Sequence, residues 1–195
     1  MKKFLSLILC IVLALSLASC SLLDDGEEVN VSIDPTAVAP ETVEELYSYY
    51  NRVERGMTRA EVEALFGVGE DSYDQDGAKT YTTYKNEKKS AGVSVIYAFD
   101  DSVSAKILYY NNAEDLVKFC TPFDDAKLEK LDQDQLMKNV KEILGDGVEL
   151  SCEYSTNNPS NFSKIYSWFN ADGKSLQLYT DNDIVKQMVL NDKEQ

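Results

Sequence analysis

The side chains that could do chemistry here are carboxylates, thiols and aromatics, because the chain carries 34 Asp and Glu, four Cys, twelve Tyr and no His. Without imidazole there is no Ser-His-Asp or Cys-His nucleophile and no zinc site that needs a nitrogen ligand. A carboxylate pair for acid–base work would have to come from Asp71, Asp74, Asp76, Asp100, Asp101, Asp124, Asp125, Asp181 and Asp183. These sit where the sequence turns, and Asp is simply a good turn former. Ser72-x-Asp74-x-Asp76-Gly77 has the spacing of the first half of a calcium loop, but it opens on Ser72 and puts Thr83 where a bidentate Glu belongs, so it reads as a solvated turn. No Gly-rich phosphate loop, G-x-S-x-G elbow or CxxC pair occurs. The expectation is therefore no catalytic residue, no metal and no cofactor. A net charge of −15 also argues against a nucleic-acid partner, since phosphate binding depends on clustered Lys and Arg.

One thiol has a specific chemistry. Lys2 and Lys3 precede an apolar run from Phe4 to Ala18, which is shorter than the roughly 20 residues needed to span a bilayer. It closes on Leu17-Ala18-Ser19-Cys20, which resembles the bacterial lipobox, where the cysteine thiol takes a diacylglycerol. This predicts a signal peptide over 1–19 and a lipidated Cys20, held on a membrane by acyl chains at about 0.8 kcal/mol per buried methylene. Losing Lys2 and Lys3 takes the charge from −15 to −17, so anionic headgroups repel the exported part and membrane contact is through the lipid anchor only. Residues 20–39 are acidic and without period, and read as a flexible tether. The expected location is the extracytoplasmic side of the cell membrane, or the outer membrane in a Gram-negative cell, where Ser21 is no inner-membrane retention signal. Cys120 and Cys152 remain as an even pair in an oxidising compartment. A bridge between them would close a loop of about 33 residues, worth roughly 3–4 kcal/mol; two buried free thiols are the alternative.

The elements that would position these groups follow from period and capping. Pro40-Glu41 is expected to open a first helix with Val43, Leu46, Tyr47, Tyr50 and Val53 on one stripe. Thr58-x-x-Glu61 is a capping box for a second, short helix that carries Val62, Leu65 and Phe66 and stops at Gly67. A polar loop, Val68 to Lys79, leads to strand-like segments at Thr80–Lys85, Gly92–Phe99 and Ala105–Tyr110. The order then recurs. Leu131–Gln135 parallels Met57–Glu61, with Asp132 and Gln135 as a second capping box. Val140, Ile143, Leu144 and Gly145 match Val62, Leu65, Phe66 and Gly67; Tyr166–Asn170 matches Thr82–Asn86; Lys186–Asn191 matches Lys106–Asn111. The expected fold is α+β, in two tandem repeats over 40–111 and 112–195, each a helix pair packed on a three- to four-stranded antiparallel sheet.

Arg55-Gly56-Met57-Thr58-Arg59-Ala60-Glu61-Val62-Glu63-Ala64-Leu65-Phe66-Gly67 resembles the G-M-T-x-x-E-V-x-x-L-L-G signature of small envelope lipoprotein domains. That group includes the BamE-like and the tandem-repeat β-lactamase inhibitory protein families. The resemblance implies a helix pair against an antiparallel sheet and, for the inhibitory family, a joint concave sheet face that binds an enzyme. The second repeat departs from it, with Leu131-Asp132 for Met57-Thr58 and no matching glycine. A helix-capping signature speaks for fold more than for activity.

The aromatics supply the contact chemistry. Tyr84 and Trp168 hold equivalent positions in the two proposed repeats, and Tyr110, Tyr166 and Tyr179 lie on nearby strands. Tyr and Trp are enriched at binding hot spots, and Val93, Val95, Leu176 and Leu178 offer an aliphatic face sufficient to pack on helices. These five aromatics are therefore the expected protein-binding residues, with core or cross-strand packing as the other role open to each. The expected function is a lipid-anchored, non-enzymatic module that binds an envelope or secreted protein through an aromatic sheet face. A small-ligand or cell-wall sensor binding between the repeats is one alternative. An inhibitor of a secreted hydrolase such as a β-lactamase, implied by the resemblance only, is the other.

Overall fold

In the computed structural model the described residues are 38–73, 77, 79–155, 157–158 and 160–191. The leader, Cys20 and the tether up to residue 37, with Asp74 and Asp76 of the calcium-like spacing, lie outside them. The first capping box forms: Thr58 N–H donates to Glu61 Oε2 at 2.6 Å, and Glu61 N–H donates to Thr58 Oγ1 at 3.3 Å. It opens helix α2 (Arg59–Phe66), whose Val62 and Phe66 are buried. Helix α1 (Val43–Arg52) begins two residues later than Pro40-Glu41 suggests, because Thr42 is the cap and accepts from Glu45 N–H at 3.1 Å. Pro40 instead gives its carbonyl to Glu87 N–H. Val43, Leu46 and Tyr50 are buried as the stripe requires.

Eight strands follow one another across a single antiparallel sheet: β1 (Glu70–Tyr73), β2 (Lys79–Lys85), β3 (Ala91–Tyr97), β4 (Val103–Tyr110), β5 (Val148–Tyr154), β6 (Phe162–Phe169), β7 (Ser175–Asp181) and β8 (Ile184–Asn191). Between β4 and β5 run two single-turn helices, α3 (Glu114–Val117) and α4 (Asp125–Leu128), and then α5 (Met137–Leu144). This corrects the expected fold. The chain is mostly sheet, and its halves do not each carry a helix pair on a sheet of their own. Among the described residues α1 contacts α2 in the first half, and in the second the single-turn α4 contacts α5. The two sheets anticipated from the repeat are one because β4 pairs with β5 through Ala105↔Glu153, Lys106↔Cys152 and Ile107↔Ser151. Partners more than forty residues apart leave no local signal. The segment Val68–Lys79, read as a loop, holds β1, whose polar side chains EDSY lack an apolar alternation.

What does recur is a smaller construction that seats a helix on a β-hairpin. Gly56 N–H donates to Val103 C=O and Val103 N–H to Met57 C=O; Asp134 N–H donates to Val185 C=O and Val185 N–H to Gln135 C=O. Isolated bridges Thr58↔Ser102 and Leu136↔Ile184 continue the two contacts. Asp134, at φ 62°, therefore takes the left-handed place of Gly56, at φ 82°, which Asp tolerates better than most residues. The second capping box is corrected with it: Asp132 N–H does donate to Gln135 Oε1 at 2.9 Å, but the helix starts at Met137 with Leu136 as an uncapped N-cap. The core lies in two clusters. One is built around Leu46, Tyr50, Val62, Tyr84, Val93 and Val95, the other around Val140, Leu144, Tyr166, Trp168 and Leu178.

Candidate functional site

Directly paired residues of an antiparallel sheet share a face, so register sorts every strand residue into covered or uncovered. One row crosses all eight strands under the helices: Asp71, Thr82, Val95, Lys106, Cys152, Lys164, Thr180 and Val185. The neighbouring row crosses all eight on the other face: Glu70, Thr83, Ser94, Ile107, Ser151, Ile165, Tyr179 and Gln187. All members of this second row are half-buried or exposed, and Ile107, at the β4–β5 seam, is 42% exposed. Tyr81, 40% exposed, and half-buried Ile96 and Tyr109 alternate with buried residues of β2, β3 and β4 onto the same face. Isoleucines and tyrosines interleaved with Ser, Thr and Gln are the residue types of an adaptable contact surface rather than of a reaction centre, and this surface ends where Val148, Ser167 and Phe169 on the same face are buried and Ile165 packs against the first core cluster.

The structure sorts the five expected contact aromatics differently. Tyr84 is 2% exposed and Trp168 is fully buried, while Tyr166 is also in the core. Tyr84 stacks on Phe66 at 5.0 Å, and its hydroxyl pairs with that of Tyr97 at 2.9 Å. Trp168 Nε1–H donates to Gly145 C=O at 3.3 Å. Both rings turn inward because a glycine stands beneath each. A Cβ at Gly69 would lie 2.7 Å from Tyr84, and one at Gly147 would lie 2.4 Å from Trp168. The expectation that aliphatic residues alone would fill the core overlooked these spaces. Tyr110 is half-buried, edge-on to Phe169 at 5.6 Å, at the core margin. Of the five, only Tyr179 lies in the uncovered row. The residues missed, Ile107 and Ile165 with Tyr81, could have been found only through strand register.

Among the described residues Cys120 and Cys152 are free thiols, which corrects the expected bridge. Cys152 belongs to the covered row between Lys106 and Lys164. Cys120, after α3, instead directs its S–H toward the carbonyls of Leu116 at 3.5 Å and Ser167 at 3.7 Å. Burial pushes both thiols above their ordinary value, so they are poor nucleophiles.

The main buried charge centre is structural. Glu149 accepts from Tyr50 O–H at 3.2 Å and pairs with Lys164 at 3.0 Å and Lys106 at 3.5 Å. Lys106 also donates to the carbonyls of Tyr50 and Val53 at 3.0 and 2.9 Å, closing the end of α1. Burial pulls the Lys106 ammonium down, and Glu149 opposes it. Burial and then Glu149 push the Tyr50 phenol far up, so it stays a donor. With every member committed to another, this group ties α1 to β4, β5 and β6. Among the described residues no helix is long and apolar enough to cross a membrane, and no cluster of three metal-ligating side chains occurs.

No protein-family model matches the sequence, and no curated protein matches it. Among solved structures, the crystal structure of a candidate beta-lactamase inhibitor protein from Streptococcus mutans is similar, with a TM-score of 0.58 and 15% sequence identity over 78% of this chain and 98% of that one. At that identity the likeness is one of fold, and it narrows the anticipated resemblance to the inhibitor side. The chain has a β-lactamase-inhibitor-like fold.

Proposed function

We propose that this chain is a non-enzymatic binding module whose uncovered sheet face takes a folded protein outside the cytoplasm, with Cys20 as its lipid anchor. The observation that carries this reading is the unbroken row from Glu70 to Gln187, which sets Ile107, Ser151, Ile165 and Tyr179 in one line across the β4–β5 seam. A face spanning eight strands is wide enough for an ordinary protein interface, about 800 Å² per partner. The chain's charge of −15 favours a neutral or basic partner. The fold likeness supports a narrower reading in which that partner is a secreted hydrolase of the β-lactamase kind. Titrating the chain into purified β-lactamases tests it. Saturable inhibition, weakened at least tenfold by Ile107→Asp with the fold intact, is expected. Inhibition indifferent to Ile107→Asp would take the sheet face out of the account, and no inhibition of any enzyme would remove the hydrolase reading while leaving the face to be tested with other partners.

A further inference from the structure

The helix-seating construction occurs twice, and its two copies differ in what fills the space beside the helix start. In the first, Arg59 lies 4.2 Å over the Tyr97 ring and donates to Thr82 Oγ1 at 2.6 Å and to Asp71 and Asp101 at 3.3 Å. In the second, the same position is Met137, which is buried and has no charge to send across the gap. A cavity of about 710 Å³ opens there instead, a size that suits a small ligand. Tyr166 floors it and Leu136, 52% exposed, forms an apolar wall. Lys138, Lys141, Glu142 and Asp183 also line it. None of these four charges takes part in a salt bridge among the described residues. The Lys141 ammonium lies 5.2 Å over the Tyr166 ring.

We propose that this cavity binds a small amphipathic zwitterion, an amino acid or dipeptide with free ammonium and carboxylate groups and an apolar side chain. Lys138 and Lys141, three residues apart on one helix face, receive the carboxylate. Glu142 and Asp183 receive the ammonium, and the apolar side chain rests on Tyr166 and Leu136. Burial pushes the Tyr166 phenol up to about 12, so the floor stays uncharged. An anion alone would leave two carboxylates facing it, and a cation alone two ammonium groups; a zwitterion satisfies both pairs. The site lies on the helix side of the sheet and does not rest on the binding face proposed above.

The test is an amide chemical-shift titration of the full chain with the dipeptide Leu-Phe. Saturable shifts confined to residues 136–142 and 182–183 are expected, with N-acetyl-Leu-Phe and Leu-Phe amide each binding at least tenfold more weakly. Lys138→Gln combined with Lys141→Gln, both exposed and safe for the fold, should weaken Leu-Phe at least tenfold, whereas Tyr179→Ala should change nothing. No saturable shifts, equal binding of the blocked dipeptides, or an unaltered double variant would each overturn the site.

Discussion

Tyr84 and Trp168 are the residues whose roles changed most between sequence and structure. An aromatic on a strand can face either way, and hot-spot enrichment pointed these two to a partner while core packing stayed open to each. The deciding residues are Gly69 and Gly147, each lying just before a strand and leaving room for a ring that no other residue type would permit. Trp168→Ala should therefore cost about 3–5 kcal/mol, and Gly147→Ala about 1–3 kcal/mol through a forced clash. Ile107→Asp should shift stability by no more than about 0.5 kcal/mol, as at other surface positions. Urea unfolding of the three variants checks the ranking; a Trp168 variant as stable as the parent would return that residue to the surface. The thiols are read at the same scale. Cys120 and Cys152 should both titrate with a thiol reagent on unfolding without reductant and resist it in the native protein. Fewer than two reactive thiols in denaturant would mean a bridge.

At the scale of elements, the Thr58–Glu61 box was legible because both of its hydrogen bonds are local, three residues apart. The Asp132–Gln135 pair carries the same local signal and makes half of the same bonds, yet it sits in the turn that holds left-handed Asp134 against β8. Capping chemistry is common to helix starts and turns, so only the contact with Val185 tells them apart. The box also has a pH signature. The backbone N–H of Thr58, and then its hydroxyl, hold the Glu61 carboxyl below its ordinary value of 4.5. A carboxyl lowered in the folded state stabilises fully above about pH 4.5 and loses that contribution as the pH falls through the lowered value. Glu61→Gln keeps an acceptor but removes the titration, so its melting temperature should fall less steeply with acid than the parent's below pH 4.5. Parallel acid slopes for the two proteins would show that the box does not contribute in this way. Loss of the cap through Thr58→Ala should cost about 1 kcal/mol at neutral pH.

For the whole molecule, the three residue pairs that join β4 to β5 decide the architecture. They turn two apparent units into one sheet and bring Ile107 from the first half beside Ser151, and into line with Ile165, from the second. The helix seats recur in a register that sets Gln135, and not Leu131, in the place of Met57, and no sequence echo could reveal a seam between strands separated by three helices. The same seam explains why the proposed contact face escaped a strand-by-strand reading: its residues are scattered over the chain and meet only through register. In the proposed reading that face is where the molecule works, by contact with another protein.

That claim is tested most directly by placing a photo-crosslinking residue in the native cell at Ile107, at Tyr179 and, as a control on the helix side, at exposed Ser48 of α1. The account predicts one and the same protein adduct from positions 107 and 179 and none from position 48. An adduct from position 48 with nothing from positions 107 and 179 would contradict it.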